Sequence, residues 1–271
     1  MLITGAGRGI GAALARVFAE QGARALLLVD RDGPAVEAVA TDLRGVYPTL
    51  AGVDALAADV ADPVDVRRFV ERGEAALGGI DIFVANAGIG GGGGLEADLD
   101  VWQSTWDVNV MAHVHAAREV VPRMLARGGG GFVTVASAAG LLTNLGNAPY
   151  SVTKHAAVAF AEWLAVTHGE QGLDVACVCP MGIDTDLLRS GRGTLEGESV
   201  AALGVLPLEQ AAHTIVEGLR AGRFLVLTHP ETAEYERRRV ADRDRWIAGL
   251  QRAQRSILEA LPAAGGEGLP D

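Results

Sequence analysis

Tyr150 and Lys154 stand four residues apart in "PYSVTK", residues 149–154. On a helix that spacing puts the two side chains one turn apart on one face. A free tyrosine titrates near pH 10, and a neighbouring positive charge favours its phenolate. A tyrosine made more acidic in this way can serve as a general acid or base, help worth about 10²–10⁴-fold in rate. By itself the pair decides nothing, since both residue types are common on helix surfaces.

A second stretch carries its own chemistry. "TGAGRGIG", residues 4–11, follows a short apolar run and opens a helical pattern. Gly5, Gly9 and Gly11 let the chain turn tightly and let backbone N–H groups approach a pyrophosphate at a helix N-terminus. Asp30 ends the next apolar run. A carboxylate about 20 residues beyond the glycines can accept both ribose hydroxyls in the adenosine half of NAD. Arg8 or Arg31 could meet the 2′-phosphate of NADP instead. Asp30 stands where that phosphate would have to go, so the residues favour NAD.

These groups need elements to position them. Short apolar runs read as strands at 2–4, 25–30, 55–59, 80–86, 131–137, 174–179 and 224–227. Several are apolar almost throughout, as strands buried on both faces are. Helical stretches read at 10–22, ended by Gly22; at 62–78, with Asp62 as N-cap and Pro63 at the first position; at 98–127; and at 149–171. Pro122 predicts a kink or break late in the third of these. The alternation implies an α/β fold: a Rossmann-type doubly wound parallel sheet of about seven strands, with helices on both faces. Residues 1–228 read as one cofactor-binding and catalytic domain, and 229–271 as a C-terminal helical extension.

Two regions interrupt the pattern. The glycine run Gly90–Gly94 follows the fourth strand and reads as mobile. Residues 186–206 are glycine-rich and follow the sixth strand. Both leave strand ends that border the ligand crevice of such a sheet, so both read as covers over it or as plain surface loops. In the extension, Trp246, Leu250, Ile257 and Leu261 form a helical stripe able to dock on its own domain or on a second subunit. The last ten residues, "PAAGGEGLPD", read as disordered.

Composition narrows the function. The chain has 271 residues, 49% of them hydrophobic, and a net charge of −11. That charge argues against nucleic acid or an anionic membrane as a partner. No apolar run approaches the roughly 18 residues of a membrane span, and "MLITG" shows no signal-peptide pattern. Cys177 and Cys179 would share one strand face, too constrained for an unstrained disulfide and with no metal-binding cluster nearby. They read as buried thiols in a reducing cytoplasm. Only three residues precede Thr4, a short first strand that leaves open a native start upstream of Met1.

The motifs converge. "TGAGRGIG", "ADV" after the third strand, "NAG" after the fourth, "DVNV" in the long helix, "VASAAG" after the fifth and "YSVTK" occur in this order. Over about residues 1–228 the chain resembles the short-chain dehydrogenases/reductases, with "FLVLTHP" and the tail similar to an NAD-preferring bacterial branch. The resemblance implies Tyr150 as general acid/base, Lys154 as its electrostatic partner and ribose ligand, Ser137 as binder of the carbonyl oxygen, and Asn109 as holder of a relay water. It also implies that Gly5, Arg8, Gly9, Ile10, Gly11, Asp30 and Arg31 meet the cofactor. Asp59 and Val60 would contact adenine, and Asn86, Ala87 and Gly88 would line the cofactor cleft. Pro180, Ile183 and Thr185 match the family's nicotinamide segment, whereas Met181 replaces its usual glycine and Gly182 follows.

The expected activity is NAD(H)-dependent hydride transfer to or from a secondary alcohol or ketone. The pocket wall, read as Leu141, Leu142, Leu145 and Met181, suggests a moderately hydrophobic substrate. An NADP(H)-linked carbonyl reductase and a non-catalytic NAD(H)-binding sensor or scaffold are the alternatives. Helices 98–127 and 149–171 resemble the family's pairing surfaces, implying a homodimer or homotetramer. Arg189 and Arg192 read as solvated lid residues rather than a grip for an acidic substrate.

Overall fold

The structure, a computed structural model, describes residues 1–261; the ten-residue tail read as disordered lies outside the described residues. In chain order the elements begin with β1 (Leu2–Thr4), α1 (Gly9–Glu20), β2 (Ala25–Asp30), α2 (Gly33–Val46), β3 (Gly52–Ala57), α3 (Pro63–Leu77) and β4 (Ile82–Ala85). Then come α4 (Leu99–Trp106), a π-helical stretch (Asp107–Met111), α5 (Ala112–Ala126), β5 (Gly130–Val135), α6 (Ala139–Leu142), α7 (Ala148–His168) and β6 (Leu173–Cys179). The chain continues through α8 (Asp186–Ser190), α9 (Leu195–Ala201), α10 (Leu208–Arg220), β7 (Leu225–Leu227), α11 (Glu231–Ala241) and α12 (Arg243–Ala260).

The seven strands form one parallel sheet in the order β3-β2-β1-β4-β5-β6-β7. The order reverses between β1 and β4, which opens a crevice at their carboxyl ends. Side chains alternate across the sheet with period two. Ile3, Leu28, Val84 and Val133 enter one apolar layer with Leu14 of α1 and Ile215 of α10. Their neighbours Leu2, Leu27, Phe83 and Phe132 enter the other, with Phe69 of α3, Val120 of α5 and Leu164 of α7. Phe83 stacks on Phe69 at 6.3 Å and on Phe132 at 5.4 Å between centroids. Burial on both faces explains why these strands are apolar throughout.

Several expectations are corrected. The third strand is Gly52–Ala57, not 55–59. Two further helices, α2 and α10, pack on the sheet; α2 carries an Asp32 cap, Pro34 in its first turn and buried Val36, Val39, Ala40 and Leu43 at helical spacing. The helix does not break at Pro122, which sits inside continuous α5. Its irregularity comes earlier, in the π-helical stretch, where one extra residue per turn re-aims side chains. Residues 186–206 hold the short helices α8 and α9 rather than plain loop. Three-residue β1 keeps its ladder to both neighbours, and Met1 extends it by donating to Ala25 O at 3.0 Å.

Of the C-terminal stripe, Trp246 packs on the chain's own domain. Tyr235 of α11 and Trp246 of α12 pack against a cluster that includes Leu141, Leu142, Cys177 and Cys179. No helix among the described residues is long and apolar enough to cross a membrane.

Candidate active site

Helix α7 starts at Asn147, whose side-chain oxygen accepts from the Tyr150 amide at 3.0 Å, with Pro149 in the first turn. This start places Tyr150 in the opening turn and Lys154 one turn on. Lys154 is buried at 3% exposure and donates to Val135 O, at the end of β5, at 3.1 Å. Its Nζ lies 5.5 Å from the centre of the Tyr150 ring.

Burial governs both groups. It pushes the Tyr150 phenol up to about 12; the adjacent Ser137 hydroxyl acts the other way, and the Glu196 carboxylate adds to the rise. It brings the Lys154 ammonium down to about 8. The spacing argument expected the cation to make the phenol more acidic. Among the protein's own groups the balance runs in the opposite direction, because removal from water outweighs the hydrogen bond with Ser137.

Ser137 lies just beyond β5. Its hydroxyl accepts from Ala139 N at 3.1 Å and faces Pro180 O at 3.4 Å. Asn109 is fully buried within the π-helical stretch. Its Oδ1 accepts from Ile89 N at 2.9 Å, and its Nδ2 donates to Ile89 O at 2.9 Å and to Thr153 Oγ1 at 3.2 Å. The side chain thus ties the segment after β4 to α7. Gly88 lies over both groups: a Cβ there would stand 3.3 Å from Asn109 Oδ1 and 3.3 Å from Lys154 Nζ.

The glycine loop is built by close approach. A Cβ on Gly11 would lie 2.2 Å from Gly5 O and 2.5 Å from Asn86 Nδ2, and Gly5 itself has φ +63°. Asn86 pins the loop, donating to Thr4 O at 2.9 Å and Gly5 O at 3.1 Å. Asp30 steadies it from the other side, accepting from Gly7 N at 2.9 Å and Asp32 N at 3.0 Å. Arg8 pairs with Asp32 at 2.5 Å, while Arg31 is exposed at the rim. Beyond β6, Gly182 is required because a Cβ would come within 2.2 Å of Gly204 O; this accommodates Met181 one residue earlier, its N–H bonded to Thr228 Oγ1 at 3.3 Å.

Most of these parts border one cleft of about 1010 Å³. Of the residues expected at the site, only Gly11, packed beneath the loop, and Asn109, behind Gly88, lie off its wall. A cleft of this size lies at the top of the usual range for a ligand pocket and has room for an extended ligand such as a dinucleotide. The backbone cradle, which an added Cβ would fill, and the Asp30 carboxylate fit such a dinucleotide.

The substrate wall needs correction. Leu142 and Met181 border the cleft; Leu141 and Leu145 do not, and Leu141 points into the core. Leu187, Leu188, Val200 and Leu203, from α8, α9 and the turn after it, take their place, together with polar Asn144 and Glu196. Sequence reading missed this because the wall is assembled from segments distant along the chain. Arg189 pairs with Asp184 and Asp186, and Arg192 with Glu198, so both face other lid residues. Among the described residues no group of three or more His, Cys, Asp or Glu is placed to hold a metal ion.

Comparison with known proteins bears on family and fold. The family model for short chain dehydrogenase matches residues 1–195. The 1-deoxy-11-beta-hydroxypentalenate dehydrogenase of Streptomyces exfoliatus is 34% identical over 239 residues, covering 85% of this chain and 82% of that protein. A short-chain dehydrogenase/reductase from Burkholderia phymatum, solved with NAD, superposes with TM-score 0.80 at 28% identity, over 90% of this chain and 93% of that one. A short-chain dehydrogenase from Sphingobium yanoikuyae, solved with NADPH, does so with TM-score 0.75 at 26% identity, over 98% and 97%.

Proposed function

The chain belongs to the short-chain dehydrogenase/reductase family, and from that premise we propose that it is an NAD(H)-dependent oxidoreductase interconverting a secondary alcohol and a ketone. The observation that carries this reading is the meeting of Ser137, Tyr150 and Lys154 with the glycine loop in one cleft. Support for NAD over NADP comes from Asp30, whose carboxylate borders the cleft beside the loop, and from Arg8, already paired with Asp32. The leucine, valine and methionine side chains of the wall favour a moderately hydrophobic substrate.

The loop N–H groups of residues 5–11 would hold the pyrophosphate and Asp30 the adenosine ribose, with Asp59 and Val60 beside adenine. Asn86, Ala87, Gly88, Pro180, Ile183, Thr185 and Lys154 would hold the nicotinamide half. That group, when bound, supplies the hydride acceptor or donor. The remaining chemistry is the protein's. Ser137 and Tyr150 hydroxyls hydrogen-bond the substrate oxygen. Tyr150 removes the alcohol proton in oxidation and returns it in reduction. Lys154 offsets the phenolate charge as it forms. Asn109, its side chain tied to Ile89 and Thr153, would hold the relay water that the family resemblance implies.

Exposed Trp106, Val152, Trp163 and Val166 on α4 and α7 support pairing through these helices into a dimer or tetramer, and the two free buried cysteines suit a reducing cytoplasm. The test is the initial rate of NADH absorbance change with a panel of secondary alcohols and ketones, run with wild type and Tyr150→Phe. Turnover lowered about 10²–10⁴-fold in the variant, with cofactor binding retained, is expected. Tight NADH binding without turnover by the wild type would establish the sensor reading instead, and a preference for NADPH the alternative cofactor.

A further inference from the structure

We propose that Glu196 is a positioning residue, latching the lid helix α9 onto the cap of the catalytic helix through Asn147. The inference rests on the enzymatic reading above, and its test separates the two.

Glu196 comes from α9, a segment far along the chain from Tyr150, yet both border the same cleft. Its Oε1 accepts from Asn147 Nδ2 at 2.8 Å and from Asn144 Nδ2 at 3.3 Å. Asn147 is 1% exposed, and the other end of its amide accepts from Tyr150 N at 3.0 Å. One buried amide therefore joins the lid to the first turn of the helix that carries the acid/base. The glycine run arrives at the same point: Gly93 pairs with Asn147, and its carbonyl accepts from Ala148 N at 3.0 Å. Both covers of the cleft meet at this cap.

Two further contacts make the junction specific. Ser199 Oγ, one turn along α9 from Glu196, donates to Asn144 Oδ1 at 3.4 Å. Gly146 has φ +76°, and a Cβ there would stand 3.1 Å from Glu196 N, so the loop and the lid helix approach too closely for a side chain between them. Hydrogen bonds to a charged acceptor are the stronger kind, and Glu196 is the charged acceptor for the Asn147 amide. A lid seated by Glu196 thus holds Asn147 in the orientation that caps Tyr150; a raised lid releases it.

Hydrogen exchange and kinetics test this. Asn147→Asp keeps an oxygen for the Tyr150 amide but removes the donor and sets two carboxylates face to face. Amide exchange over 195–201 should accelerate at least about tenfold while β4 and β5 are unchanged, and kcat should fall at least about tenfold with little change in cofactor KM. Adding Glu196→Gln returns a donor, now on the lid, and should restore both readings to within about threefold of wild type. Glu196→Ala, a change on a half-exposed lid residue, should free both the lid and the Tyr150 amide if Asn147→Asp fails to fold. Unchanged exchange over 195–201, faster exchange with unaltered kcat, or no recovery in the double variant each overturns the proposal. Should the wild type turn nothing over, the enzymatic reading fails, and the exchange data alone decide whether the latch exists.

Discussion

Lys154 Nζ stands 5.5 Å from the centre of the Tyr150 ring and donates to Val135 O, so the cation is held over the phenol's face by the end of a core strand. The arrangement stores a buried charge in the protein, and its cost is measurable.

Burial holds the Lys154 ammonium at about 8, below its ordinary 10.5. The unfolded chain therefore binds this proton more tightly. Below pH 8 the charged form is carried at full cost; as pH rises from 8 to 10.5 the cost disappears, and stability rises. Lys154→Met should stabilise the fold at pH 7 by about 3 kcal/mol, with the gain fading toward pH 10.5. Turnover should collapse at the same time. Urea unfolding of the two proteins at pH 7 and pH 10 checks it; a less stable variant at pH 7 would contradict it.

His113 is buried in α5 with neither ring nitrogen bonded to a described residue. Burial first, and Lys154 second, lower it from 6.5 to about 3. A depressed value means the unfolded chain takes up the proton first, so stability present above pH 6.5 is lost as pH falls toward 3. At pH 5 this amounts to about 2 kcal/mol. His113→Leu should remove that part of the acid sensitivity, seen as a smaller drop in urea midpoint between pH 7 and pH 5. An identical drop in both proteins would exclude His113 as its source.

Gly11→Ala places a methyl 2.2 Å from Gly5 O and 2.5 Å from Asn86 Nδ2. Both atoms are already bonded to each other, so neither yields easily. The fold should lose about 2 kcal/mol, as overpacked sites do, and NADH titrated by fluorescence should bind at least about tenfold more weakly. Normal melting with normal binding would show that the loop can relax.

Asp30→Ala removes the carboxylate from the cleft wall beside the glycine loop. The ratio of kcat/KM for NADP to that for NAD should rise at least about tenfold, or about 1.4 kcal/mol. Absolute values for both cofactors should fall, since Gly7 and Asp32 lose their N–H acceptor. An unchanged ratio would mean that another group selects the cofactor.

The strands were readable because burial on both faces leaves almost no polar residue in them, as in "ALLLVD" and "GFVTVAS". Helices α2 and α10 were harder to see, because their apolar residues are mixed with small alanines and adjacent charges. Pro122 illustrates the opposite error. A local rule predicted a break there, but packing of Val120, Val121 and Met124 holds α5 continuous, while the real irregularity falls at Asn109 with no residue to announce it.

By itself the sequence determined the parallel α/β architecture and the glycine loop, because each depends on local spacing or on hydrophobic period, while the Ser137–Tyr150–Lys154 set was expected from the family resemblance. Tertiary structure alone decided the sign of the Tyr150 shift, the substrate wall drawn from α8 and α9, and the contact between Glu196 and Asn147. Those depend on how much water is removed and on which distant segments meet, quantities that residue order does not carry until the chain has packed.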